Sequence, residues 1–229
     1  MLRFISFGSG SSGNCYLLYT ATDGLLIDSG VGIRTLKKHF HDYGISISIV
    51  HNMLVTHDHA DHIKSVGALS HDYNLPVYAT ADVHMGIDRN YCVSRKVSQE
   101  LRRYIKKDET VQVGEFKVTP FSVPHDSIDN VGYTIEAEGI CFSIITDAGS
   151  ITDTIRTHIS NAHYLVIEAN HDVEMLQSGP YPQYLKERIM SSQGHLSNAD
   201  CAKSIAENMT ERLRKVWLCH LRSEERRVG

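Results

Sequence analysis

The sequence predicts an α/β fold in one sizeable domain. Three observations predict it. Short apolar runs of strand length recur along the chain, longer helical patterns are interleaved with them, and 229 residues with 41% hydrophobic content suffice for a full core. Taken in order, Met1-Leu2-Arg3-Phe4 leads straight into a strand over 2–7, and further strands follow at 15–19, 24–28, 52–56 and 76–79. Helices are expected at 32–43 and 62–73, the latter from Ile63, Val66 and Leu69. The second half supplies strands at 111–119, 131–136, 140–146, 164–168 and 215–219, with helices at 184–191 and 198–213. The last helix is the best defined. Ser197 and Asp200 form a capping-box pattern, and Ala202, Ile205, Ala206, Met209 and Leu213 repeat as one apolar stripe. No internal repeat, low-complexity tract or Pro/Ser-rich linker interrupts this alternation.

The densest chemistry lies in Thr56-His57-Asp58-His59-Ala60-Asp61-His62, directly after Met53-Leu54-Val55. In extended chain, side chains at i and i+2 point the same way. His57 and His59 can therefore reach one metal together, with Asp58 turned away. Asp61 and His62 follow as the chain turns into a helix, approach from another angle and can hold a second metal. A polar loop with an Asp cap is the bland alternative, and three imidazoles and two carboxylates in seven residues argue against it.

This stretch resembles the HxHxDH signature of the metallo-β-lactamase superfamily. The resemblance implies further ligands at strand ends, and candidates stand in order: His125 in Val123-Pro124-His125-Asp126, Asp147 after Ser143-Ile144-Ile145-Thr146, and His220 after Val216-Trp217-Leu218-Cys219. By resemblance His57, His59 and His125 hold one metal, Asp61, His62 and His220 a second, and Asp147 bridges them. The implied architecture is a four-layer αββα sandwich with the metals at one edge. The 70-odd residues between Asp147 and His220 leave no room for the large inserted domain of the β-CASP nucleases. They do contain Glu168-Ala169-Asn170-His171 and Gly194-His195-Leu196-Ser197, which look like two loops of the tRNA-maturing RNase Z enzymes. There a Glu and a His help move a proton to the leaving group, so Glu168 and His195 are the catalytic candidates beside Asp61. The alternative leaves Glu168 and His171 as structural residues and His195 as a helix-entry loop residue.

Ser9-Gly10-Ser11-Ser12-Gly13-Asn14-Cys15, Leu26-Ile27-Asp28-Ser29-Gly30 and Gly194-His195-Leu196-Ser197-Asn198 together resemble the YycJ/WalJ group, described as bacterial 5′→3′ DNA exonucleases. The implied function is a dinuclear metal-dependent phosphodiesterase acting on DNA. A hydrolase of a small ester, thioester or cyclic phosphate is the alternative on the same fold. The implied cofactors are two divalent ions, Zn or Mn, since imidazoles and carboxylates suit both. Two such ions can clamp the oxygens of an in-line displacement and lower the pKa of water. The Gly/Ser turn at 8–14 reads either as a backbone nest for a phosphate or as a hairpin turn.

Composition narrows the setting. The formal charge of −4 argues neither for nor against a polyanionic partner. Seven basic residues between Arg89 and Lys107 (Arg89, Arg95, Lys96, Arg102, Arg103, Lys106, Lys107), opposed there by Glu100, either track a DNA backbone or form the solvated face of a surface helix. The five cysteines are scattered, odd in number and without a CxxC pair, which fits reduced thiols in the cytoplasm. No stretch approaches the roughly 20 apolar residues of a membrane span, the N-terminus lacks a signal peptide's apolar core, and the oligomeric state is left open. After Leu221 the resembled group continues, whereas here Arg222 to Gly229 end the chain. The expectation is a domain over 1–221, truncated at its C-terminus, with a non-native tail at 222–229.

Overall fold

The computed structural model describes residues 1–221, so the expected tail at 222–229 lies outside the described residues. The chain divides into two compact units. One comprises residues 1–119 with 127–129, the other residues 120–126 and those from 130 onward.

In the first unit, β1 (Arg3–Gly8), β2 (Cys15–Tyr19), β3 (Gly24–Ile27), β4 (Val50–Leu54), β5 (Val77–Ala79) and β6 (Arg102–Tyr104) form one sheet in that order. The first three pair antiparallel, and β3 to β6 run parallel. Parallel strands need crossovers, which the helical segments supply: α1 (Ile33–Asp42), α2 (Ala60–Ile63) with α3 (Val66–Tyr73), and α4 (Ala81–Arg89). Leu17, Leu26, Met53, Val77, Leu36 and Leu69 are fully buried between sheet and helices. Because β3, β4, β5 and β6 are parallel, the segments after Ile27, Leu54, Ala79 and Tyr104 share one edge of the sheet, where ligands gather in open α/β sheets.

Several expectations are corrected here. The helix expected over 62–73 is two helices, with Ser65 at φ −106°, ψ 2° between them. Ser65 donates its backbone N–H to Ser29 O and its hydroxyl to Val31 O, which fastens the break to the loop after β3. Helix α4 and the edge strand β6 carry no expectation from the pattern. The strand expected over 111–119 is a hairpin, β7 (Val111–Val113) and β8 (Phe116–Ser122), folded at Gly114.

β8 ends in the second unit, beside β9 (Val131–Ala137), β10 (Ile140–Ile145), β11 (Tyr164–Glu168) and β12 (Lys215–Cys219), in the order β12-β11-β10-β9-β8. β9 and β10 form a hairpin through Glu138-Gly139, both at positive φ. β10, β11 and β12 are parallel. Their shared edge therefore carries Asp147, Glu168 and His220. α5 (Asp153–Asn161) connects β10 to β11, and α6 (Val173–Ser178), α7 (Gln183–Met190) and α8 (Asn198–Asn208) connect β11 to β12. Ile145, Ile155, Ile159, Leu165 and Ile167 fill the core of this unit.

The cap expected at α8 is present. Ser197 Oγ accepts from Asp200 N–H at 3.1 Å and donates to the Asp200 carboxylate at 2.7 Å. The expected stripe is not the buried one. Ala202, Ala206 and Met209 are exposed, and Cys201 and Ser204 are buried with Ile205 partly so. The helix stops at Asn208 because Met209 is extended, and Leu213 packs onto the core from a turn. Among the described residues no helix is long and apolar enough to cross a membrane, and all five cysteines are free.

Candidate metal centre

Each unit builds a set of ligand-type side chains at the edge of its parallel strands. In the first, β4 runs out into Val55-Thr56-His57, all fully buried. His57 and His59 lie ring to ring at 4.7 Å, and His57 and His62 at 4.0 Å. Asp58 turns the other way as the alternation requires, against α4, where a Cβ on Gly86 would come within 2.4 Å of Asp58 Oδ2. Asp61 Oδ2 lies 3.7 Å from His62 Nε2.

What orients these imidazoles is Asp28, fully buried at the end of β3 with φ 59°. It accepts from Thr56 N–H at 2.8 Å, from the Thr56 hydroxyl at 2.9 Å and from His62 Nδ1 at 2.7 Å. A carboxylate on Nδ1 holds the proton there and leaves Nε2 with its lone pair. The Thr56 hydroxyl, having given its proton to Asp28, accepts from His57 Nδ1 at 3.0 Å, and His57 is left in the same tautomer. The close approach of the loop after β3 to α2 needs Gly30, where a Cβ would lie 1.5 Å from Asp61 O.

In the second unit the edge carries His125, Asp147, Glu168, His195 and His220. One ligand-type atom from each of Asp147, Glu168, His195 and His220 lies within 4.8 Å of the others, and the His195 ring lies 5.0 Å from those of His125 and His220. His125 Nδ1 donates to Gly194 O at 2.9 Å. His220 Nδ1 donates to Glu168 Oε1 at 2.8 Å and lies 3.1 Å from Asp147 Oδ1. Asp147 (φ 49°) and His220 (φ 53°) both hold left-handed backbone, which turns their side chains at the strand ends. Asn130 Nδ2 braces Asp147 O at 3.0 Å, and Asn170 Nδ2 braces His220 O at 3.0 Å.

Glu168 is fully buried and anchors this group. Oε2 accepts from Ala148 N–H at 2.7 Å and Leu196 N–H at 3.1 Å, and Oε1 from His195 Nδ1 and His220 Nδ1, each at 2.8 Å. Burial pushes the Glu168 carboxyl up, and the charge and hydrogen bonds of the imidazoles more than offset it, so it ends below the ordinary carboxylate value. Burial pulls His195 down, and the Glu168 carboxylate more than offsets that, so the imidazole ends raised. Glu168 and His195 thus form a hydrogen-bonded dyad, Glu168 fully buried and His195 partly exposed.

Pattern reading found the ligand-type residues and missed their support. Asp28 and Asn14 lie 34 and 48 residues from His62 in the chain and meet it only through the sheet. The basic segment is also corrected. It is not a helix face but the end of α4, a loop and the edge strand β6. Arg102 makes a two-point pair with Asp88 at 2.6 and 2.8 Å, Arg95 pairs with Asp72, Lys107 with Asp129, and Lys96 caps Ile87 O and Asn90 O. Acids from outside the window therefore neutralise much of the run.

Residues 24–220 match the family model described as a beta-lactamase superfamily domain. The chain is 34% identical over 222 residues to the exodeoxyribonuclease YycJ of Bacillus anthracis, covering 96% of this chain and 82% of that protein. It is 32% identical over 222 residues to the exodeoxyribonuclease WalJ of Streptococcus pneumoniae serotype 2, covering 97% and 82%. In fold it is similar to Zn(2+)-bound PqqB from Methylobacterium extorquens (TM-score 0.75, 17% identity, 96% of this chain and 89% of that one). Human tRNase Z, short form, gives a TM-score of 0.70 at 16% identity over 97% of this chain and 93% of that one. The strand-end His and Asp residues, the two-sheet α/β fold and the family match agree: the chain belongs to the metallo-β-lactamase superfamily.

Proposed function

We propose that this chain is a dinuclear metal-dependent phosphodiesterase that degrades DNA, a 5′→3′ exonuclease. In this reading His57, His59 and His125 hold one divalent ion, Asp61, His62 and His220 hold the second, and Asp147 serves both. The observation that carries the reading is the common state of the imidazoles. His57, His62, His125 and His220 each have Nδ1 on a protein hydrogen-bond partner, Thr56, Asp28, Gly194 and Glu168 respectively, which leaves the lone pair on Nε2, the nitrogen that would meet a cation. The donors are nitrogen and oxygen without thiolate, which suits Zn or Mn. When bound, the ions supply water activation near neutral pH and neutralise charge on the phosphodiester. The names of the YycJ and WalJ relatives supply DNA as the substrate class.

The chain's own residues have separable tasks. Asp61 is a ligand and orients the attacking water. His195 donates a proton to the leaving 3′-oxygen from Nε2, because its Nδ1 is held by Glu168. Glu168 acts through His195 and does not reach the substrate, since both its oxygens are buried and occupied. The test uses 5′-labelled duplex DNA with Mn²⁺ and Zn²⁺, beside a thioester panel. The expected result is stepwise release of nucleotides from the 5′ end, lost on chelation and restored by metal. Thioester turnover with intact DNA would overturn the reading in favour of a small-ester hydrolase.

A further inference from the structure

The geometry points to Asn14 as a positioning residue that holds Asp61 Oδ2 and His62 Nε2 turned toward one point; the inference rests on the dinuclear reading above. Asn14 ends the Gly/Ser turn between β1 and β2 and is fully buried. Its Oδ1 accepts from Gly10 N–H at 2.8 Å and from the Tyr16 hydroxyl at 3.3 Å. Two donors on that oxygen fix which end of the amide is which, so Nδ2 faces the ligand turn. Nδ2 lies 2.8 Å from His62 Nε2 and 3.2 Å from Asp61 Oδ2. His62 Nδ1 is held by Asp28, so Nε2 is the acceptor in the first contact.

The backbone repeats the attachment. Asn14 N–H donates to Asp61 O at 2.7 Å, and Asn14 O accepts from Gly30 N–H at 2.9 Å. The turn that reads in sequence as either a phosphate nest or a plain hairpin has a third use. It carries a neutral donor to the two atoms assigned to one cation. A neutral amide suits this place. It adds no charge to repel the ion, and when a cation takes the Nε2 lone pair of the fixed His62 ring, the Asn14 N–H groups still have Asp61 Oδ2 and Gly10 O as acceptors, each at 3.2 Å. The two ligands are thereby oriented before a cation arrives, and Asp61, which also orients the nucleophile, has one fewer rotamer available.

The test is a Co²⁺ titration of metal-free protein, followed by d–d absorption, on wild type, Asn14→Ala and Asn14→Leu. The alanine variant removes the amide, and the leucine variant fills its volume without a donor. Circular dichroism and melting temperature identify the folded variants. Wild type is expected to take up two equivalents. Folded variants should bind the first as wild type does and the second about 10–100-fold more weakly, the usual cost of losing a residue that orients a ligand. The absorption of the second equivalent should change as well. Wild-type affinity and spectrum for both equivalents in either folded variant would overturn the assignment. Equal weakening of both equivalents in step with a lower melting temperature would also overturn it, by reducing Asn14 to a general structural part. Wild type binding fewer than two equivalents removes the dinuclear reading and this inference with it. Wild type binding two equivalents yet sparing DNA removes only the nuclease reading.

Discussion

Glu168→Gln separates the two tasks of the buried carboxylate. Four N–H groups converge on Glu168, two from the backbone onto Oε2 and two from imidazoles onto Oε1. Glutamine has the same shape but offers an oxygen at one end only. Whichever way the amide turns, its NH₂ meets two buried N–H donors. A buried donor without a partner costs about 1–3 kcal/mol, so the direct loss is about 2–6 kcal/mol. Set against a typical stability of about 5–15 kcal/mol, the variant stays folded in the cold and is measurably weakened. The protein has one escape. His195 and His220 can move their protons to Nε2 and accept from the NH₂, which recovers stability. That move takes from His220 Nε2 the lone pair that the proposed metal site needs. Stability and metal content therefore trade against each other. The assay is urea unfolding followed by Trp217, the single tryptophan and a residue of β12, together with metal analysis and single-turnover cleavage. A variant within about 0.5 kcal/mol of wild type, with unchanged metal content and rate, would refute the account of Glu168.

Further outcomes follow from the same geometry. Asp61→Ala should abolish turnover, and His195→Ala should slow cleavage by about 10²–10⁴-fold with metal content unchanged; loss of an ion in His195→Ala by elemental analysis would make His195 a ligand. Arg102→Glu should lower the melting temperature, because its side chain is 9% exposed and tied to Asp88, whereas Arg103→Glu with Lys106→Glu should chiefly reduce the salt dependence of DNA binding, by about 0.9 in slope per lost phosphate contact; an unchanged slope removes this edge from the substrate path. Gly30→Ala should displace the Asp61 turn, since the new methyl would sit 1.5 Å from Asp61 O, and the check is loss of metal binding together with stability. Burial pushes the Cys201 thiol from 9.0 up to about 12, so native protein should resist alkylation there at pH 8; its folded value is the raised one, so its share of stability is complete below pH 9.0 and fades as pH rises toward 12, and rapid native-state labelling of Cys201 would contradict this.

The parts of this molecule legible in sequence were those whose signal is local. Strand ends announce themselves as a polar residue after an apolar run, which is why His57, Asp147 and His220 stand out, and β11 and β12 fall at 164–168 and 215–219 as expected. Helix α4 was hidden by a residue with a non-local reason: Gly86 weakens the helical pattern and is there to make room for Asp58. β6 was hidden because an edge strand reading Arg-Arg-Tyr has no apolar face to show. In α8 the alanines misled, since alanine fits either side of a helix. The buried side is set by Cys201 and by Ser204, whose hydroxyl is satisfied on Cys201 O.

The same distinction explains why the ligand-type residues could be read and their orientation could not. A metal ligand is recognised by type and spacing within a few residues. The tautomer of a candidate ligand is decided by whatever lies behind it, and that partner comes from another element: Asp28 after β3 for His62, Gly194 O in the loop before α8 for His125 and Glu168 of β11 for His220. The basic segment fails in the same way. A window from 89 to 107 counts seven cations and cannot see Asp72 or Asp129, which arrive from distant parts of the chain to neutralise Arg95 and Lys107. Charge density in a window is thus weak grounds for a DNA path, whereas a strand-end imidazole backed by a buried hydrogen-bond partner is a structural commitment. Holding Asp28, Thr56 and Glu168 in the interior is costly unless each polar atom is satisfied. The hydrogen bonds that satisfy them are the ones that aim His57, His62, His195 and His220, so the fold's polar satisfaction and the site's preorganisation are one set of contacts.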